Sequence, residues 1–235
     1  SDLAVDAARR RVVGVVIEPN GRAGGARETL TADLVVDASG RESKAPVWLA
    51  GHGHEPPTET VVNAKLGYVT RYFRRRHDLP DWKALIIHAT PPAHTRLGAL
   101  APIEGDRWQL VMAGVNGDYP PTDEEGLMEF ARSLASPELH EAIRTAEPLS
   151  PIYGYRRTEN RMRRFDRLPS YLERFVVLGD AVCAFNPVYA QGMSTAVQSA
   201  SLLGDCLRER RGNLDELPRS FQKRLYRMLL TPWFL

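Results

Sequence analysis

Two stretches of this 235-residue sequence hold residues whose types and spacing suit ligand chemistry. In the first, Phe175-Val176-Val177-Leu178-Gly179-Asp180-Ala181 is followed by Phe185-Asn186-Pro187 and then Gln191-Gly192-Met193. A buried strand ending in Gly-Asp delivers a carboxylate at its C-terminal tip, where open α/β sheets bind ligands. Gly179 leaves room for a ligand to approach the backbone. The Asp180 carboxylate is suited to accept hydrogen bonds from ribose or ribityl hydroxyls. A helix opening at Gly192 adds unpaired N–H groups and the positive end of a helix dipole. Those groups stabilise a ring that gains negative charge on reduction. Alone, the Gly-Asp pair could equally cap the next turn. The added spacing to Pro187 and Gly192-Met193 is what favours a ligand site.

The second stretch is Ala32-Asp33-Leu34-Val35-Val36-Asp37, too apolar to alternate and so expected as a strand buried on both faces. It runs into Ala38-Ser39-Gly40, after which Ser43 can cap a short helix through Trp48. Arg11–Ile17 is a further strand, rich in β-branched residues, with a turn signal at Asn20-Gly21 and a loose connection at Gly24-Gly25.

The middle of the chain differs in character. His52 to Pro57 reads as a linker, and Val61 to Phe73 alternates over a length suited to one long antiparallel strand. Strands are expected at Leu85–Ala89, Leu97–Ile103 and Trp108–Val115, the last two joined by a hairpin at Glu104-Gly105-Asp106. Thr122-Asp123-Glu124-Glu125 forms a capping box opening a helix through Leu134. Ser136-Pro137 starts another, with serine as N-cap and proline at the first helical position. A strand at Arg174–Leu178, a helix from Gly192 to about Arg211 and a final helix capped by Asn213 complete the chain.

The pattern is an α/β element interrupted by an antiparallel sheet and then resumed. The expected domains are therefore 1–54, 55–165 and 166–235, the first and last forming one body. The fold class is mixed α/β, a partial Rossmann-like domain interleaved with an antiparallel-sheet domain.

Leu178-Gly179-Asp180-Ala181 with Pro187 and Gly192-Met193 resembles the second FAD fingerprint of the class A flavoprotein monooxygenases. Asp33 to Ser43 resembles that family's middle fingerprint, with Ser39 where aspartate usually stands and with Asp37-Ala38-Ser39-Gly40-Arg41 closer to the geranylgeranyl reductase, halogenase and polyether-type epoxidase subgroups than to simple phenol hydroxylases. The resemblance implies that Asp180 holds the ribityl chain. It puts Pro187 near the reactive edge of the isoalloxazine and the backbone of Gly192 and Met193 at its pyrimidine end, with Gly179 beside Asp180. It further implies FAD as cofactor, NAD(P)H as reductant, and hydroxylation or epoxidation of an apolar or aromatic small molecule with O₂ through a flavin C4a-hydroperoxide. The intervening sheet sits where the family places its substrate domain.

No side chain is assigned an acid–base or other catalytic role. Tyr68, Arg71, Trp108 and Met112 lie on strands that could face a substrate, although core or sheet-surface duty is the plainer expectation. Cys183 reads as a small buried residue rather than a flavin tether or redox thiol. The alternatives are a flavin-dependent reductase of the same fold or a non-catalytic remnant that binds flavin weakly. Halogenases carry a Trp-x-Trp motif, and Trp48, Trp82, Trp108 and Trp233 are too far apart to make one. The family's G-x-G-x-x-G motif occurs nowhere in the sequence. Gly51-His52-Gly53 has no third glycine in place and follows no strand.

Composition excludes other classes. A net charge of +2 from 26% charged residues gives no push toward nucleic acid. Arg74-Arg75-Arg76 and Arg161, Arg163, Arg164 read as solvated faces. Two cysteines and six scattered histidines make no disulfide framework or metal site, and the cysteine usage suggests a reducing, cytoplasmic setting. The chain opens without a capping element and stops on Trp233-Phe234-Leu235, as a fragment would. The apolar Met228–Leu235 stretch is expected to pack on further sequence rather than on a membrane.

Overall fold

The β-branched runs and amphipathic helices of the sequence sort into two compact units. The computed structural model describes residues 2–8, 10–18, 27–90 and 92–234. The Asn20-Gly21 turn, the Gly24-Gly25 connection and Leu235 lie outside them. In chain order the first unit begins with β1 (Asp2–Asp6), β2 (Arg11–Ile17), β3 (Glu28–Thr31), β4 (Val35–Asp37), α1 (Ala45–Gly51) and β5 (Glu59–Val62). The second unit holds β6 (Gly67–Arg74), β7 (Leu85–Ile87), β8 (Arg96–Ile103), β9 (Arg107–Gly114), α2 (Glu124–Arg132), α3 (Glu138–Ile143) and β10 (Tyr153–Tyr155). The chain then returns to the first unit with β11 (Asn160–Arg163), β12 (Phe175–Val177), β13 (Cys183–Ala184), α4 (Gly192–Arg210) and α5 (Leu217–Phe234). The first unit comprises residues 1–62 and 160–235, the second 63–159.

These limits differ from the expected 54/55 and 165/166 for a pairing reason. β5 and β11 bond to each other, and β11 also bonds to β13, so all three strands stay with the first unit.

Within the first unit β12 and β4 pair in parallel, with Val177 opposite Asp37, so both strands point their C-terminal ends the same way. β12 is buried throughout, as its uninterrupted apolar sequence requires. β4 is not: it is three residues long, and Val36 is 40% exposed. Glu28–Thr31 forms a separate exposed strand on β2, which shortens the run expected from Ala32.

α5 covers β12. Leu217, Phe221, Leu225 and Leu229 recur every fourth residue and are buried together. Each side chain of this size stabilises the fold by roughly 1.5–3 kcal/mol. The neighbouring Gln222 Nε2 donates to Val177 O at 2.7 Å, closing the outer edge of β12 with a side chain instead of another strand. Leu229 is buried, and Met228 and Trp233 pack on the same core. Met228, Leu229 and Trp233 thus pack on their own unit, with Trp233 6.5 Å from Phe185 between ring centroids, while Phe234 is 80% exposed.

The second unit is a five-stranded antiparallel sheet of order β10-β6-β9-β8-β7 with α2 and α3 on one face. The run from Val61 to Phe73 is two strands rather than one. The chain breaks at 63–66, where Lys65 takes φ +46, and β5 and β6 join different sheets.

Helix starts shift slightly from expectation. Asp123, not Thr122, caps α2, its Oδ1 accepting the Gly126 N–H at 2.8 Å. Pro137 occupies the cap position of α3 and makes no side-chain bond there. Lys44 stands at the cap of α1, but Ser43 Oγ still accepts the Ala45 N–H at 3.1 Å. Asn213 closes a local turn onto the Asp215 N–H, and α5 starts four residues after it.

Candidate functional site

The parallel pair carries its two loops at one end, and the site is built there. β12 runs through Leu178 in extended backbone into Gly179 at φ +62. A side chain would be strained in that left-handed conformation, so glycine makes the sharp turn that follows. Asp180 sits in the short 3₁₀ turn Gly179–Ala181, half-buried. Its carboxylate has no hydrogen-bond or ion-pair partner among the described residues.

Asp180 faces the start of α4. A Cβ built on Gly192 would stand 3.8 Å from Asp180 Oδ1, so the carboxylate lies against bare helix backbone. Gln191 precedes the helix without a side-chain cap, and the first turn is bonded from the Thr195 N–H, which donates to Gln191 O at 3.0 Å. The amides of Gly192, Met193 and Ser194 therefore have no partner within the helix. A free carboxylate and free amides, side by side, offer acceptors to hydroxyls and donors to a carbonyl-bearing ring.

The connection from Phe185 to Gln191 is held from within. Asn186 donates its N–H to Asn160 Oδ1 at 2.5 Å and accepts the Val188 N–H on its own Oδ1 at 3.1 Å. Pro187 opens the short 3₁₀ turn Pro187–Tyr189, and Ala190 at φ +52 ends it. Pro187 is exposed, as are Val188, Tyr189, Met193 (83%) and Val197. The structure thus brings Gly179, Asp180 and Gly192 together. It sets Pro187 and Met193 on the apolar loop and first helical turn that flank Gly192.

The loop after β4 lies beside this one. Asp37, 5% exposed, accepts the Ser39 N–H at 2.9 Å, the Ser39 hydroxyl at 2.6 Å and the Ser43 hydroxyl at 2.5 Å. This network folds the Ala38–Ser43 connection, in which Gly40 takes φ +81. Arg41 Nη2 donates to Phe185 O at 3.2 Å, tying the two loops together.

The basic run at 161–164 is not a solvated face. Arg163 is 5% exposed and donates to Glu59, Ala181 O and Arg41 O. Arg164 pairs with Asp166 at 2.8 Å and lies 3.9 Å over the Tyr226 ring. Arg74, Arg75 and Arg76 pair with Glu147, Asp81 and Asp78 at the surface, where such pairs add little stability. No sequence signal marks Arg163, because two of its three acceptors are backbone carbonyls.

Cys183 is buried beside the site. Burial pushes its thiol up to about 12, with the Asp180 charge adding to the shift and Arg41 opposing it. A thiol so placed stays protonated near neutral pH and supplies no nucleophile. Among the described residues no His, Cys, Asp or Glu cluster could hold a metal ion. No described helix is long and apolar enough to cross a membrane.

In the second unit, Arg71, Trp108 and Met112 are buried on the helix-covered face of the sheet. Arg71 makes a two-pronged pair with Glu124 at 2.5 and 2.6 Å. Tyr68 alternates with them and lies on the opposite face, 5.5 Å from Tyr155 between ring centroids.

The family model described as FAD binding domain matches residues 6–212. Protein Rv3254 of Mycobacterium tuberculosis is 32% identical over 225 residues, covering 93% of this chain and 47% of the relative. The chain thus spans about half the length of the curated relative it matches. Among solved structures, the myxobacterial chondrochloren halogenase CndH superposes with a TM-score of 0.71 at 16% identity, over 100% of this chain and 52% of that one. PqsL from Pseudomonas aeruginosa, described as a probable FAD-dependent monooxygenase, gives 0.64 at 18%, over 97% and 58%. At these identities the likeness bears on the fold. With the model matching nearly the whole length, this chain belongs to the FAD binding domain family.

Proposed function

We propose that this chain carries the flavin-ring half of an FAD-dependent monooxygenase that hydroxylates or epoxidises an apolar or aromatic small molecule. One observation carries this reading: the unpartnered Asp180 carboxylate set against the amide end of α4 at the tips of a parallel strand pair. These residues fit FAD. Asp180 would accept ribityl hydroxyls, and the Gly192 and Met193 amides would donate to the pyrimidine end of the ring. Pro187 would stand toward its reactive edge. When bound, FAD supplies the two-electron chemistry and the reaction with O₂. The chain's own residues supply grip, orientation and a helix end that favours negative charge on the ring.

NAD(P)H is the reductant in this reading. One O₂ and one NAD(P)H with a proton convert the substrate to its oxygenated product, water and NAD(P)⁺. In the second unit the open sheet face presents Tyr68, Thr70, Val111 and Tyr155, an apolar and aromatic surface suited to such a substrate. Two buried free cysteines accord with a reducing compartment, and we assign the protein to the cytoplasm.

The test is uptake of FAD followed by turnover. Protein incubated with FAD and gel-filtered should absorb near about 450 nm, a property of the cofactor. It should then consume NADPH and O₂ together when offered phenols or alkenes. A colourless protein counts against the flavin site. Substrate-dependent NADPH oxidation without O₂ uptake moves the assignment to a reductase.

A further inference from the structure

We propose that Arg163 is the positioning residue that holds the two loops beside the proposed flavin site at their working separation. The proposal rests on the flavin reading of Asp180 and Gly192. Arg163 leaves β11 into the interior, and each arm of its guanidinium has one acceptor. Nε donates to Glu59 Oε1 at 2.8 Å, Nη1 to Ala181 O at 2.9 Å and Nη2 to Arg41 O at 3.1 Å. Ala181 directly follows Asp180 in the loop after β12, and Arg41 directly follows Gly40 in the loop after β4. A single planar fork therefore spans both loops and fixes the distance between them, because its donors cannot move independently.

Glu59 keeps the buried charge compensated, and that pair comes from strands already in register, with Arg163 opposite Glu59 on β11 and β5. The Arg163 N–H also donates to Val182 O at 2.8 Å, so the strand bearing the fork is fastened to the same loop. Arg41 returns a bond to Phe185 O, which closes the ring of contacts. A buried arginine used only for packing would not need to address two carbonyls in two different loops. Unsatisfied, the Ala181 carbonyl would be a buried polar group without a donor.

The experiment compares wild type, Arg163→Met, Arg163→Lys and Asp180→Ala in two readouts. The first is FAD affinity by fluorescence titration. The second is the rate of thiol labelling without flavin at Cys183, which lies in β13 beside the clamp, against Cys206, buried in α4. Arg163→Met should weaken FAD binding by about tenfold or more, the worth of hydrogen bonds from a charged donor. It should speed labelling of Cys183 while leaving Cys206 protected. Arg163→Lys, which cannot reach all three acceptors, should fall between. Asp180→Ala should lose FAD and, since burial is the larger cause of the raised Cys183 thiol, should speed Cys183 labelling less than Arg163→Met does.

Equal acceleration of both cysteines would mean general loosening and would overturn the proposal. So would FAD binding by both Arg163 variants at wild-type strength while Asp180→Ala loses it, an outcome that leaves the flavin reading intact. If the wild type takes up no FAD, the flavin reading falls and the claim of a working separation falls with it.

Discussion

Asp180 is half-buried yet bonds to nothing among the described residues, so its acceptors are spare in the folded chain. Removing them should therefore cost ligand binding and not folding. Asp180→Ala is expected to weaken FAD binding about 10- to 100-fold, or ~1.5–3 kcal/mol for hydrogen bonds to a charged acceptor. The thermal midpoint without FAD should stay at the wild-type value. Flavin-to-protein ratio after gel filtration measures the first and calorimetry the second, and unchanged stoichiometry would remove Asp180 from the site. This residue was legible in the sequence because the backbone dictates it. Gly179 must take a left-handed turn at a strand tip, and glycine leaves a visible trace. Arg163 left none. Its carbonyl acceptors belong to residues 18 and 122 positions away, and any residue type would offer the same oxygen.

Elements were readable where a local signal ran without interruption and unreadable where chemistry outside it intervened. β2, β8 and β9 lie close to where their β-branched content and flanking turn signals put them. The alternation from Val61 to Phe73 misled because buried Leu66 continues the apolar pattern across a turn. The loop between β9 and α2 shows what holds such a join. Asp118 accepts two bonds from Arg96, at 2.7 and 2.8 Å, and one from the Thr95 hydroxyl at 3.0 Å. The Arg96 hydrogen bond chiefly holds the Asp118 carboxyl below its usual 3.8. A lowered folded pKa stabilises above the unfolded value and loses that contribution as pH falls through the folded one. Asp118→Asn should thus cost about 1 kcal/mol near neutral pH, once screening at this part-exposed site is allowed for. In strong acid the two proteins should unfold alike. Urea midpoints at the two pH values check this, and a deficit that persists in acid would assign the effect to packing instead of charge.

At the scale of the molecule, the second unit is a single insertion, residues 63–159, into the first. Its two ends sit on neighbouring strands: Val62, the last residue of β5, is paired with Asn160, the first of β11. Antiparallel strands whose ends face each other in register need no more than a two-residue turn to join them. Replacing residues 63–159 by Asn-Gly should therefore leave the first unit folded. Its core of Leu217, Phe221, Leu225 and Leu229 against β12 draws nothing from the deleted segment. The clamp of Glu59 and Arg163 lies just beyond the cut on each side and should keep its register. The shortened protein is expected to unfold in one cooperative transition and to bind FAD as the intact chain does, while losing turnover of any substrate held by the open sheet face. Circular dichroism through a thermal ramp and a parallel FAD titration read both properties. If the deletion variant is unfolded, the first unit depends on the second for stability. If it folds but no longer takes up flavin, residues between 63 and 159 belong to the flavin site, and Asp180 with the amide end of α4 does not suffice to define it.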